Sequence, residues 1–402
     1  MIKWVERKLG DLVQIGSSKR IYYKEYVTNG IPFYRSKEVI EKHNGRSIST
    51  ELFISYERFN EIKDKFGSPQ KEDILLTSVG TLGIPWIINT NEEFYFKDGN
   101  LIWFQEFGSQ IDNKFLYYWF ISPIGKHELK MSSIGSTQPA LTIRGLKALD
   151  ILLPPLPEQR AIAGVLSSLD DKIDLLHRQN KTLEALAQTL FRQWFVEEAE
   201  DDWEKGILSD FCDVIDCLHA KKPKEIEPDE NSKYLLQVYN IADGGYIDLS
   251  KKYFVSDEDY DEWVRRIELL GGDLVISKTG RVGAIGQIPY YLKAGIGRNL
   301  VAIHPKEPFT PEYLKELMFS KWMIRKIHLN TSDGTILRSL HVKSIAALPV
   351  IFPGKECIDK YSETISPIHR KIQENLKSIE TLEKLRDMLL PKLMSGEVRV
   401  SL

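Results

Sequence analysis

From Leu169 onward, apolar residues fall at 169, 173, 176, 183, 187 and 190, with Asn180 in the one remaining slot, so the spacing alternates between four and three. That alternation is the seam of a coiled-coil helix. A second stretch repeats it through Ile368, Ile372, Ile379, Leu382 and Leu389, with Asn375 and Arg386 in the polar slots. Ser168, with an acid three residues on at Asp171, reads as an N-cap. Ser366-Pro367 reads as an N-cap followed by a first-turn proline. The pattern predicts two helices of roughly 25 residues, each about 37 Å long at 1.5 Å per residue.

Facing positions in an antiparallel pair have a constant residue-number sum, and a sum of 555 sets Asn180 opposite Asn375. The same sum pairs Ile173 with Leu382, Leu176 with Ile379, Leu183 with Ile372 and Ala187 with Ile368. A slip by one heptad would bury each asparagine against an aliphatic side chain, at ~1–3 kcal/mol per stranded amide. The alternative is two unrelated amphipathic helices, each lying on its own domain.

Elsewhere the chain mixes short β-rich runs with Gly, Asn and Asp turns. ILLTSVG, PWIIN and LIWF lie in one half, and DLVISKTG, AIGQIPYY and NLVAIH in the other. Each half also holds a helical candidate, Asn113–Ile121 and Thr310–Ile327, the second opening on Thr310-Pro311.

These halves are copies. Trp4 and Asp11 recur as Trp203 and Asp210, an offset of 199. Asp73-Ile74-Leu75-Leu76 recurs as Asp273-Leu274-Val275-Ile276, each followed by a GxxG turn, Gly80–Gly83 and Gly280–Gly283. Asn100-Leu101 recurs as Asn299-Leu300, and Gly135, Leu141 and Ile151–Leu153 recur as Gly334, Leu340 and Val350–Phe352. A nearly constant offset over so many landmarks indicates tandem duplication. The expected fold is mixed α/β with a pseudo-two-fold repeat. Two similar globules, 1–153 and 200–353, alternate with helical regions 154–199 and 354–402.

With 42% hydrophobic and 28% charged residues the chain of 402 is an ordinary globular sequence of two or more domains. No apolar run reaches membrane-spanning length, and the start lacks the apolar core of a signal peptide. Three cysteines, Cys212, Cys217 and Cys357, form neither a metal knuckle nor a paired framework, which suits a reducing cytoplasm. The net charge of −3 lowers the expectation of nucleic-acid binding without removing it, because basic residues can still gather on one face.

Catalytic patterns are missing from the sequence. It has no Walker A loop, no HExxH pair and no Asn-Pro-Pro-aromatic or Asp-Pro-Pro-Tyr element of the amino-methyltransferase type. Gly16-Ser17-Ser18 and Ser277-Lys278-Thr279 offer hydroxyls without a positioned base.

LLPPLPEQRAIAGVLSSLDDKIDLLHRQNKTLEALAQTLFRQWFVE, Leu152–Glu197, closely resembles the central conserved region of type I restriction–modification specificity subunits. Lys371–Val400 resembles their distal conserved region, and Gly135–Leu141 and the Asp73–Gly83 segment look like signatures of their target recognition domains. The resemblance spans both repeats. It departs from the pattern where the second copy has Pro353-Gly354-Lys355-Glu356-Cys357 in place of PLPEQ, and Asp333-Gly334-Thr335 in place of the Gly135-Ser136-Thr137 turn.

The resemblance implies a non-catalytic reader of a split double-stranded DNA site, one domain per half. It implies two methyltransferase subunits on the conserved helices, with translocating endonuclease subunits joining them. S-adenosylmethionine, ATP and magnesium would then belong to the partners, and this chain would need no cofactor. A rod of about 37 Å would also match ~34–36 Å, one turn of DNA. Candidate contacts are the polar and basic residues on turns. In the first globule these are Lys19, Arg20, Arg35, Thr81, Gln138 and Arg144, and in the second Lys221, Lys222, Lys278, Arg281, Arg298 and Arg338. Arginine suits guanine and glutamine suits adenine, whereas lysine and threonine more often hold phosphate. Each residue taken singly could instead be a solvated charge or turn former. A stand-alone modification enzyme and a DNA-free scaffold are the competing functions.

Overall fold

The computed structural model describes residues 4–400 except 46–47, 136–138, 201, 219–221, 229–231, 243 and 334–337; for Ser332, Asp333 and Arg338 it describes the backbone alone. The chain divides into two compact units, Met1–Leu175 with Ser378–Leu402, and Leu176–Lys377.

In the first unit, Val13–Gly16, Leu101–Phe107, Ile74–Thr77 and Pro85–Ile87 form, in that order, an antiparallel four-stranded sheet. The second unit builds the same sheet from Cys212–Asp216, Leu300–Pro305, Leu274–Ser277 and Ile285–Gln287. Each strand starts 199 or 200 residues after its counterpart. A two-stranded ribbon closes each globule, Val5–Lys8 with Asp150–Leu153 and Glu204–Ile207 with Pro349–Phe352.

The central strands are apolar throughout because both their faces are covered. Ile74 and Leu76 enter one core and Leu75 the other. In the second unit Leu274 and Ile276 enter one core and Val275 the other. Asp73 and Asp273 open these strands as buried turn caps. Asp73 Oδ2 accepts from Gln70 N and Trp103 Nε1, both at 2.8 Å, while Asp273 accepts from Leu270 N at 2.8 Å and faces His304 Nδ1 at 2.6 Å.

Two long helices, a central one at Leu156–Arg192 and a distal one at Lys355–Ser395, have 37 and 41 residues. At 1.5 Å per residue they are about 56 and 62 Å long. The expected 25-residue rod matching one DNA turn is therefore wrong, and so are both expected N-caps. Ser168 lies inside the central helix, where its hydroxyl donates back to the Val165 carbonyl at 2.7 Å. Pro367 lies inside the distal helix, where its missing N–H costs one backbone bond that the burial of Ile365, Ile368 and Ile372 outweighs. Local capping signals yield here to a longer apolar face.

The seam itself is present. In the second unit Asn375 Nδ2 donates to Asn180 Oδ1 at 2.8 Å, with Leu183 half-buried and Ala187 and Ile372 buried alongside. In the first unit Ile173 is buried, Leu382 is half-buried, and Arg386 Nη1 reaches Asp170 Oδ1 at 3.0 Å. Leu176 and Ile379 are each buried. Contacts within each unit make the helices antiparallel.

A further correction concerns the short helices. Thr310–Ile327 is two helices, Pro311–Phe319 and Lys321–Leu329, and the first globule adds Pro123–Ser132 after Asn113–Ile121. Ser122 and Ser320 make the breaks. Each hydroxyl accepts the N–H three residues on, from Gly125 at 3.0 Å and Met323 at 3.1 Å, while donating back to Trp119 O and Leu317 O at 2.7 Å. One serine thus closes one helix and opens the next.

Candidate nucleic-acid interface

In each globule the loops converge on one end of the four-stranded sheet. In the first, Ser17 Oγ donates to Leu101 O at 3.2 Å, and Ser78 N donates to Asn100 O at 2.9 Å. Ser36 Oγ donates to Asn100 O at 3.4 Å, and Leu141 N to Ser78 O at 2.9 Å. Residues near 17–20, 35–36, 78–83, 98–101 and 141–144 are thereby gathered. The second globule repeats the bonds, with Lys278 N on Asn299 O at 2.8 Å and Leu340 N on Lys278 O at 2.9 Å.

The GxxG turn at this end has the same construction twice. Thr77 Oγ1 donates to Thr81 O at 2.5 Å and accepts from Ile84 N at 2.9 Å. Ser277 Oγ donates to Arg281 O and accepts from Ala284 N at 3.0 Å. Gly80 and Gly83 have φ of +77° and +74°, and Gly280 and Gly283 have +77° and +78°, so the turn needs glycine at both ends. Thr81 and Arg281 are left exposed at its tip.

Lys19, Arg20, Thr81, Arg144, Lys222, Arg281 and Arg298 are exposed, while Arg35 and Lys278 are half-buried. Lys19, Arg20, Arg35, Thr81 and Arg144 share the first sheet end; Lys278, Arg281 and Arg298 share the second. Lys222 lies instead over the Tyr253 ring, 3.9 Å from its centroid, at the edge strand of a smaller sheet. Gln138 and Lys221 lie outside the described residues, as does the Arg338 side chain.

Several candidates have partners that the linear reading missed. Arg20 Nε meets Asp98 Oδ2 at 2.8 Å, and this bond holds the exposed guanidinium above its ordinary pKa. Arg35 Nη2 meets the buried Glu38 at 3.1 Å, and Arg281 Nη1 donates to Ile241 O at 2.5 Å. Lys278 Nζ meets Asp216 Oδ1 at 2.5 Å, with both side chains mostly buried. The charge of Lys278 is thus balanced by Asp216 within the globule.

The LPPLPEQ element has a structural reading as well. Glu158 accepts from Arg399 of the chain's last segment, with Nη2 to Oε2 at 2.6 Å. Gln159 donates to Gln110 O and Pro154 O at 2.8 and 2.9 Å and accepts from Asp112 N at 2.9 Å. The second copy places Cys357 and Ile358 there, so its departure from the motif removes this tie.

A family described as "Type I restriction modification DNA specificity domain" matches residues 1–185. Across 99% of this chain and 94% of its own length, the "Type I restriction enzyme MjaIX specificity subunit" of Methanocaldococcus jannaschii is 26% identical. Over nearly its full length the chain is similar to type I restriction–modification specificity subunits. Its relative in Haemophilus influenzae, the "Type I restriction enzyme HindI specificity subunit", is 22% identical over 99% of this chain and 100% of that one. The crystal structure of a type I restriction–modification S subunit from M. genitalium has the same fold, with a TM-score of 0.57, 17% identity, and 98% and 96% of the two chains covered. Among the described residues, no helix is long and apolar enough to cross a membrane.

Proposed function

We propose that this non-catalytic subunit reads a split double-stranded DNA site, with residues 1–153 reading one half and 200–353 the other. The observation that carries this is the duplicated sheet end. The same loops, the same GxxG turn and exposed basic side chains recur there in each globule. Phosphate contacts would hold each end in register and side chains on the turns would read base edges.

The long helices are the proposed seats for two methyltransferase subunits, with translocase–endonuclease subunits joining that core. Leu175, Leu186, Leu385 and Met388 keep apolar surface exposed on the helices, which suits such docking. S-adenosylmethionine, ATP and magnesium are placed with those partners, and the assembly in the cytoplasm.

Exchange of residues 1–153 for the corresponding part of another member, followed by mapping of methylated genomic sites, tests the reading. One half of the site should change and the other stay. A change in both halves, methyl transfer by the isolated chain, or no DNA affinity at any salt concentration would overturn it.

A further inference from the structure

Each globule meets the long helices through a polar junction, and the two junctions occupy equivalent places with their chemistry exchanged. In the first unit Tyr118, on the helix Asn113–Ile121, donates its hydroxyl to Asp170 Oδ2 of the central helix at 2.6 Å. Arg386 Nη1 of the distal helix donates to Asp170 Oδ1 at 3.0 Å. In the second unit Glu316, on the helix Pro311–Phe319, faces His369 Nε2 of the distal helix at 2.7 Å and accepts from Gln188 Nε2 of the central helix.

The correspondence follows the repeat. Tyr118 and Glu316 are 198 residues apart, as are the starts of their two helices, and Asp170 and His369 are 199 apart, the offset of the long helices; Gln188 and Arg386 play matching parts one residue off that offset. Tyr118, Glu316 and His369 are all buried. A carboxylate taken out of water, half-buried at Asp170 and fully buried at Glu316, needs donors. The first junction puts it on the helix and serves it with tyrosine and arginine. The second puts it on the globule and serves it with histidine and glutamine. Cross-pairing fails both ways. The second globule on the first site would oppose two carboxylates, and the first globule on the second site would replace the carboxylate that serves His369 and Gln188 with one neutral phenol oxygen.

We propose that these junctions key each globule to its own seat on the helices, making Tyr118, Asp170, Arg386, Glu316, His369 and Gln188 positioning residues for DNA reading. The proposal rests on the half-site reading above.

The test uses the full chain with its methyltransferase partners. Tyr118→Glu should lower the unfolding midpoint and reduce base preference in the half-site assigned to residues 1–153 by tenfold or more, leaving the other half intact. Adding Asp170→His and Arg386→Gln installs the second junction's residues in the first unit and should restore both readouts. A triple variant no better than Tyr118→Glu overturns the key, as does Tyr118→Glu with no effect or with equal loss in both halves. If Tyr118→Glu does not fold, Tyr118→Phe removes the hydrogen bond alone. Selective weakening of the first half then supports the key, and equal or absent change overturns it. An unaltered chain whose methylated sites are not two-part would refute the half-site reading instead, and recovery of the unfolding midpoint would still judge the junction.

Discussion

Asn375 donates its amide to Asn180 Oδ1 at 2.8 Å in the seam between the long helices, with both side chains almost wholly buried. Asn180 Nδ2 has no partner among the described residues, so the pair specifies register more than it stabilises. Asn180→Leu alone strands the Asn375 amide and should cost ~1–3 kcal/mol in urea unfolding. Asn180→Leu with Asn375→Leu should recover that loss or exceed it. A single variant as stable as the parent would refute a register set by this pair.

The GxxG turn separates two effects of a methyl group. Gly80 has φ +77° and open space around the position of a Cβ, whereas at Gly83, φ +74°, a Cβ would meet Leu129 Cδ1 at 2.9 Å. Gly80→Ala should cost the left-handed strain, roughly 1–2 kcal/mol. Gly83→Ala should cost more, because Leu129 must also move. Thermal unfolding in which Gly80→Ala is the worse of the two would contradict the packing.

Salt titration of DNA binding distinguishes paired from unpaired cations. Arg144→Ala should reduce the slope of log affinity against log salt by about 0.9 if it removes one phosphate contact. Lys278→Ala should barely change it, since Asp216 lies 2.5 Å away. A full unit of slope lost at Lys278 would mean that this pair opens on DNA.

Glu158 is nearly buried and its carboxylate is held by Arg399. Arg399→Ala leaves that buried charge without its arginine and should lower the unfolding midpoint. Glu158→Gln with Arg399→Ala should cost less than Arg399→Ala alone. Equal unfolding midpoints for the two variants would show that the tie does not stabilise the first unit.

Much of the fold was legible because duplication prints the same pattern twice. The offset of 199–200 located matching strands, and heptad spacing located the seam and its two asparagines. Helix ends were not legible. Ser168 and Ser366-Pro367 carry local start signals, yet apolar faces running from Leu156 and Lys355 bury enough surface to override them. Nor could spacing show that Ser320 divides one helical pattern into two.

The sequence by itself determined the repeat, the alternation of globule and helix, and the basic residues on the turns, because these depend on residue type and period. Only the tertiary structure decided which charges remain available. Asp98 reaches Arg20 across 78 residues and Asp216 reaches Lys278 across 62, distances at which no local pattern operates. The same holds for the exchanged junctions. Tyr118 and Glu316 are ordinary helix residues in the sequence, and only packing against Asp170 and His369 gives them opposite roles.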